Sequence, residues 1–235
     1  ADAPRVLIGE QHDNADQHAL QLWLLKALQQ QRESGSLLLE MLNPEQQAKV
    51  AATQAASRAR QMPVDLPAAL AWQAGWDWAL YGPIIRYGLL QPAPLLAANL
   101  DRNEIMTIYR TRPRLPAGQA TQDSVQAALL AQIEASHCGL LPASQLPAML
   151  AVQQQRDRRM AERLLAAPTP AVLLAGAFHV RRDLGVPLHL QDLAAPGGTE
   201  RVLILAEVGQ AVSAERADFV WYTPAMPAQD HCASM

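Results

Sequence analysis

The sequence predicts an α/β fold, a mostly parallel central sheet covered by helices. Three observations carry that prediction. Short apolar runs recur that are nearly continuous rather than alternating, the pattern of strands buried on both faces. Amphipathic stretches with helix-start signals separate them. Polar or ionisable residues also follow four of the runs at matching places, where ligands bind in open α/β sheets.

The expected strands are Arg5–Gly9, Ser36–Glu40, Pro94–Ala98, Ala171–Ala175, Arg201–Val208 and Asp218–Tyr222. After the first, Asp13 or Asn14 caps a helix whose Leu20, Trp23, Leu24, Ala27 and Leu28 share a face, with His18 expected to be exposed. Asn43-Pro44-Glu45 combines a cap, a first-turn proline and a first-turn acid, and starts a helix expected to reach about Met62. Asp77 caps another, with Pro83 in its first turn or at a kink. Residues 101–112, 122–136 and 142–167 read as further helices, the last as one long helix or a pair, and 110–121 as a loop. A single domain over residues 1–235 is expected, with a helical insertion at roughly 44–92 and a helical region at roughly 122–167.

Among 235 residues, 17% are charged and the formal net charge is -3, so no field of one sign dominates. Nucleic acid is not an expected partner, because the nearest basic cluster, Arg110, Arg112 and Arg114, reads as a solvated loop. No run approaches the ~18 apolar residues of a membrane-spanning helix. The start, Ala1-Asp2-Ala3-Pro4, has no methionine and fits a processed or trimmed chain. Two cysteines, Cys138 and Cys232, each follow a histidine (His137 and His231). They lack the ligand spacing of zinc motifs, and a disulfide is the plainer reading. It would close a loop of about 94 residues and contribute on the order of 4 kcal/mol. A disulfide favours an oxidising compartment, so export to the periplasm or cell surface is expected.

Glu10, His12 and Asp13 follow the first strand, Glu40 closes the second, Asn99 and Asp101 follow the third, and His179, Arg181, Arg182 and Asp183 follow the fourth. A lone buried His or Glu is usually a hydrogen-bonded core group; four sets at one sheet edge point to a site. His189, behind Gly185 and Pro187, reads as structural. The most aromatic segment is residues 72–87, with Trp72, Trp76, Trp78, Tyr81 and Tyr87 beside Ile84 and Ile85.

These stretches resemble a known family. GEQHDN, LEM, AAN and AGAFHVRRDLGVPLHL after the four strands, together with WDWALYGPIIRYG, QQQRDRRMAERLL and DFVWYTP, are similar in order to the ChaN haem-uptake lipoproteins. The wider superfamily includes Tiki-like and erythromycin-esterase-like proteins. The resemblance implies a carrier of ferric haem in bacterial iron acquisition rather than an enzyme. It implies a homodimer around the cofactor, an outer-membrane receptor as partner and a lipid anchor as the only membrane contact. It also implies a tyrosinate on the iron, a hard anionic ligand suited to the ferric state. Tyr81 is the expected ligand and Tyr87 the reserve. The two are six residues apart, about 600° around a helix, so they do not share a face. His12, His179, Arg181, Trp78 and Ile84 are expected around the porphyrin and its propionates. The chain has only two lysines, Lys26 and Lys49, so Arg or His must supply the cations.

Two other functions fit the same residues. One is a metal-dependent hydrolase using Glu10, His12, Glu40 and His179, although no H-E-x-x-H helix is present. The other is a scaffold that keeps the fold but binds no cofactor.

Overall fold

The computed structural model describes residues 3–33, 35–194, 199–227 and 232. In chain order the elements are β1 (Arg5–Glu10), α1 (Ala15–Gln31), β2 (Ser36–Leu39), α2 (Gln47–Arg58), α3 (Leu66–Ala69), α4 (Trp78–Leu90), β3 (Leu95–Ala97), α5 (Arg102–Thr111), α6 (Asp123–Ser136), α7 (Leu146–Ala166), β4 (Ala171–Gly176), α8 (Ala177–Val180), α9 (Val186–Leu193), β5 (Glu200–Glu207) and β6 (Phe219–Thr223). All six expected strands are present. They form one parallel sheet in the order β3-β2-β4-β1-β5-β6.

Alternate strand residues feed two cores, as a pleat requires. Ile8, Leu39, Leu174 and Leu205 face α1, α2, α3 and α4, where Leu25, Val50, Leu66 and Ile85 complete the packing. Leu7, Leu38, Leu173 and Ile204 face the opposite layer, with Met160 and Leu164 of α7, Val180 of α8 and Leu190 of α9. β4 is buried along its whole length, which explains its unbroken apolar run. Each fully buried Leu or Ile contributes about 1.5–3 kcal/mol. A smaller cluster joins α6 to α7 through Val125, Leu129, Ile133 and Leu150.

The helix starts follow the expected chemistry. Asn14, rather than Asp13, accepts the Gln17 amide and caps α1. Asn43 and Gln46 form a capping box around the short 3-10 turn Pro44–Gln46 that leads into α2. Asp77 caps α4 and Asp101 caps α5, the latter in a second capping box with Glu104. Pro83 lies inside α4. α2 ends at Arg58, short of Met62.

Two expectations for α1 are corrected. Trp23 is exposed, and the fully buried residues are Gln17, His18, Gln21 and Leu25. The inward stripe begins polar, beside the sheet's carboxyl edge, and turns apolar only toward Leu25 and Leu28. His18 lies on the polar part of that stripe, so it is buried rather than exposed.

Cys138 and Cys232 form a disulfide with Cα atoms 5.8 Å apart. His137 bonds the Ile133 carbonyl one turn back, at 2.8 Å, while His231 lies outside the described residues. His189 is buried, and burial lowers its pKa. Among the described residues, no helix is long and apolar enough to cross a membrane.

Candidate functional site

At the carboxyl edge, the ends of β1, β2 and β4 carry Glu10, Glu40 and Gly176 (Glu40 immediately following its strand). The chain recrosses the sheet here, since β1 has β4 on one side and β5 on the other. The predicted residues gather into two carboxylate–imidazole groups separated by Gly176.

The first group is built on Glu10. Its Oε1 lies 2.7 Å from His12 Nδ1 and accepts the Tyr81 hydroxyl at 3.0 Å. The Tyr81 oxygen is also 3.1 Å from His12 Nδ1, so Glu10, His12 and Tyr81 form one triangle. Glu10 is buried, whereas 46% of the His12 side chain is exposed. Trp76 meets both rings edge-on, with centroids 4.9 Å from His12 and 5.7 Å from Tyr81. Behind the triangle, His18 Nε2 donates to the His12 carbonyl at 3.1 Å and lies 3.6 Å from Glu10 Oε2. The buried atoms Glu10 Oε2, His18 Nδ1 and both polar atoms of Gln21 have no hydrogen-bond partner among the described residues.

The second group is sealed. His179 Nε2 is 3.2 Å from Glu40 Oε1, and its Nδ1 is 2.5 Å from Asp157 Oδ1 on α7. Glu40 Oε2 accepts the Gly176 amide at 2.8 Å. Burial opposes charge on His179, but Glu40 and Asp157 outweigh it and raise its pKa to about 10. Burial would likewise raise the Glu40 carboxyl, yet the His179 charge and hydrogen bond hold it far below the usual carboxylate range. His12 is tuned the same way but remains open: burial opposes its charge, while Glu10 and then Glu40 raise its pKa.

Gly176 lets the groups approach. A Cβ there would fall 2.9 Å from His12 Cε1 and 3.0 Å from Nε2.

The other residues expected around the haem have these surroundings in the haem-free fold. Tyr81 is 1% exposed and turned inward. Burial, then the neighbouring Glu10 carboxylate, keep the phenol protonated well above its usual 10. In this haem-free fold its hydroxyl donates to Glu10. Tyr87 is near the opposite end of the sheet, beside Ser36 and Pro170, and its hydroxyl has two acceptors within reach for its one proton, the Gln29 side-chain oxygen and the Leu25 carbonyl. Ile84 is a core residue. Trp78 is half-buried, stacked edge-on with Trp72 and closed in by Gly82. Arg181 is bound to Asp183 through two hydrogen bonds, and Arg182 is paired with Asp218. Asn99 donates to the Glu40 carbonyl at 2.9 Å, bracing the strand end. Among the described residues, no three His, Cys, Asp or Glu side chains are placed to hold a metal ion.

Asp157, His18 and Gly176 belong to the site without having been expected there. The helical spacing of Gln153, Asp157, Met160 and Leu164 was the available signal for Asp157. The Asn14, Gln17, His18, Gln21 stripe was the signal for His18.

The sequence model of the family described as haem-binding uptake, Tiki superfamily, ChaN matches residues 1–190. This chain belongs to that family. In fold it is similar to ChaN of Campylobacter jejuni, solved in work on cofacial haem binding, at TM-score 0.82 and 29% identity over 93% of this chain and 86% of that one. It also shares the fold of an erythromycin esterase mutant in its open conformation, at TM-score 0.51 and 12% identity over 88% of this chain and 71% of the other. No curated protein matches it.

Proposed function

We propose that this ChaN-family chain is a carrier of ferric haem (iron protoporphyrin IX) in bacterial haem and iron uptake, working outside the cytoplasm as a homodimer. A lipid anchor and an outer-membrane receptor as donor or acceptor belong to the same proposal. The observation that carries it is His12: a half-exposed imidazole with a raised pKa, fixed through Nδ1 by Glu10 and set beside Trp76.

Haem needs an apolar wall for the porphyrin and cations for the propionates. The rim offers both. A groove of about 370 Å³ beside Gln11 is lined by Phe178, Val212, Arg181 and Arg216. Phe178 is 53% exposed. In this reading His12 takes a propionate as an imidazolium, Arg216 adds a second cation, and Phe178 lies against the ring. Tyr81 positions His12 by sharing Glu10 with it, and is not assigned to the iron. Haem bound at this rim supplies the iron chemistry, and the protein supplies charge and shape.

Titration of the purified protein with ferric haem tests the proposal. A saturable Soret shift at a fixed stoichiometry is expected; a linear, unsaturated rise would overturn it. The hydrolase alternative keeps the Glu10–His12 pair as an acid–base couple without a metal. Ester hydrolysis that disappears in His12→Ala would favour that reading over the carrier.

A further inference from the structure

α5 follows β3, the strand that ends the sheet on the side away from β6. It packs against α7 but buries none of its own residues. Arg102, Met106 and Arg110 are four residues apart and so form one line along the helix. All three are exposed, Met106 by 41%. The line continues through Arg112, which ends the helix in the left-handed conformation (φ 47°), to the exposed Arg114. None of these four arginines has an ion pair among the described residues, whereas Arg158, Arg159, Arg181 and Arg182 are all paired. Glu104, the single acid between residues 102 and 118, is turned to Arg159 at 2.6 Å. Acids on the adjoining elements are engaged as well: Asp101 caps the helix, Glu162 pairs with Arg158, and Asp192 accepts the Gln119 and Ala120 amides. A chain of net charge -3 thus carries a ridge of four unpaired arginines.

We propose that this ridge rests on a bilayer surface carrying anionic headgroups, with the four arginines at the phosphates and Met106 dipped between them. Charge complementarity selects the partner: unpaired guanidiniums are strong phosphate ligands, and their apolar stems lie along a membrane interface while the heads stay in water. Shape favours a flat surface over an acidic peptide. The arginines stand on the exposed side of α5 and the segment after it, and the recess beside them, about 400 Å³ between α5 and α7, is lined by Asp101, Glu104 and Glu162. An acidic chain seeking a groove meets carboxylates there. A basic residue near an anionic bilayer strengthens binding about fivefold, so four acting together give on the order of several hundredfold over a neutral bilayer. The attraction orients the protein as well, because α5 and the β3 end of the sheet are brought down onto the lipid. It needs neither a covalent anchor nor haem, and does not rest on the haem reading.

Co-sedimentation of the haem-free, unlipidated chain with vesicles tests this. Vesicles of phosphatidylcholine with about one-third phosphatidylglycerol should pull the protein down, and vesicles of phosphatidylcholine alone should not. Raising salt from about 0.05 to 0.5 M should release it, since exposed charges are screened. A triple variant, Arg110→Gln, Arg112→Asn and Arg114→Gln, should bind the anionic vesicles about a hundredfold more weakly with an unchanged circular dichroism spectrum. Asparagine is chosen at Arg112 because it tolerates the left-handed conformation. Lysine at the three positions should restore most of the binding. If the triple variant does not fold, Arg102→Gln with Arg110→Gln gives the same test on the outer face of the helix. No binding to anionic vesicles, equal binding to both vesicle types, or undiminished binding by the folded triple variant would overturn the inference and leave haem binding untouched. Protein that ignores both vesicles but binds polyglutamate through the same arginines would overturn it in favour of an acidic protein partner.

Discussion

His12 and His179 stand on either side of Gly176, each against a carboxylate, and they differ chiefly in burial. His179 is locked between Glu40 and Asp157, out of water. His12 has Glu10 on one side and solvent on the other. The same chemistry therefore does two jobs. The sealed group ties β2, α7 and the segment after β4 together, whereas the open group presents a charged, oriented ring to a ligand. Buried ion pairs are costly to break because the remaining charge is stranded. Glu10 is buried too, but nearly half of the His12 side chain faces solvent, which leaves that side of the ring free to serve binding.

The largest effect should come from the sealed side. His179→Ala strands the Glu40 and Asp157 carboxylates and should cost about 3–5 kcal/mol, measured by urea unfolding. A loss under about 1 kcal/mol would mean the group is not charged as drawn. Tyr81→Phe should cost about 1 kcal/mol yet retain the saturable Soret shift. A lost charge-transfer band in that variant would restore Tyr81 as the iron ligand. Gly176→Ala should cost little stability, because the half-exposed His12 can swing aside, but should weaken haem binding about tenfold if the ring's position matters.

The pH dependence sharpens the contrast. His179 has a folded pKa of about 10 against a usual 6.5. Its contribution is full below 6.5 and is lost as pH rises toward 10. Glu40 is depressed from 4.5, so its contribution is present above 4.5 and is lost as pH falls through its lower folded value. Urea midpoints should therefore be highest between these usual values and fall toward pH 10; His179→Gln should flatten the alkaline decline.

The strands were legible in the sequence because each is a continuous apolar run, and the edge residues because they follow those runs directly. Glu10, His12, Glu40 and His179 all reach the site for that reason. What the helices contribute was harder to see. Apolar periodicity assigns polar residues to the outside, and α1 reverses this with Gln17, His18 and Gln21, which face the buried end of β1. Asp157 was hidden among neighbouring arginines that suggest a solvated face. Tyr81 was found by its motif, but only packing shows that its hydroxyl turns toward Glu10.

The most direct test is ferric haem titration of the wild type, His12→Ala and His179→Gln in parallel, with stability measured alongside. The account predicts that His12→Ala stays folded, losing some stability because Glu10 is buried, while lowering haem affinity at least about tenfold; His179→Gln should reduce stability with little effect on haem affinity. Unchanged haem affinity in a folded His12→Ala protein would contradict the claim that the open imidazole receives the ligand.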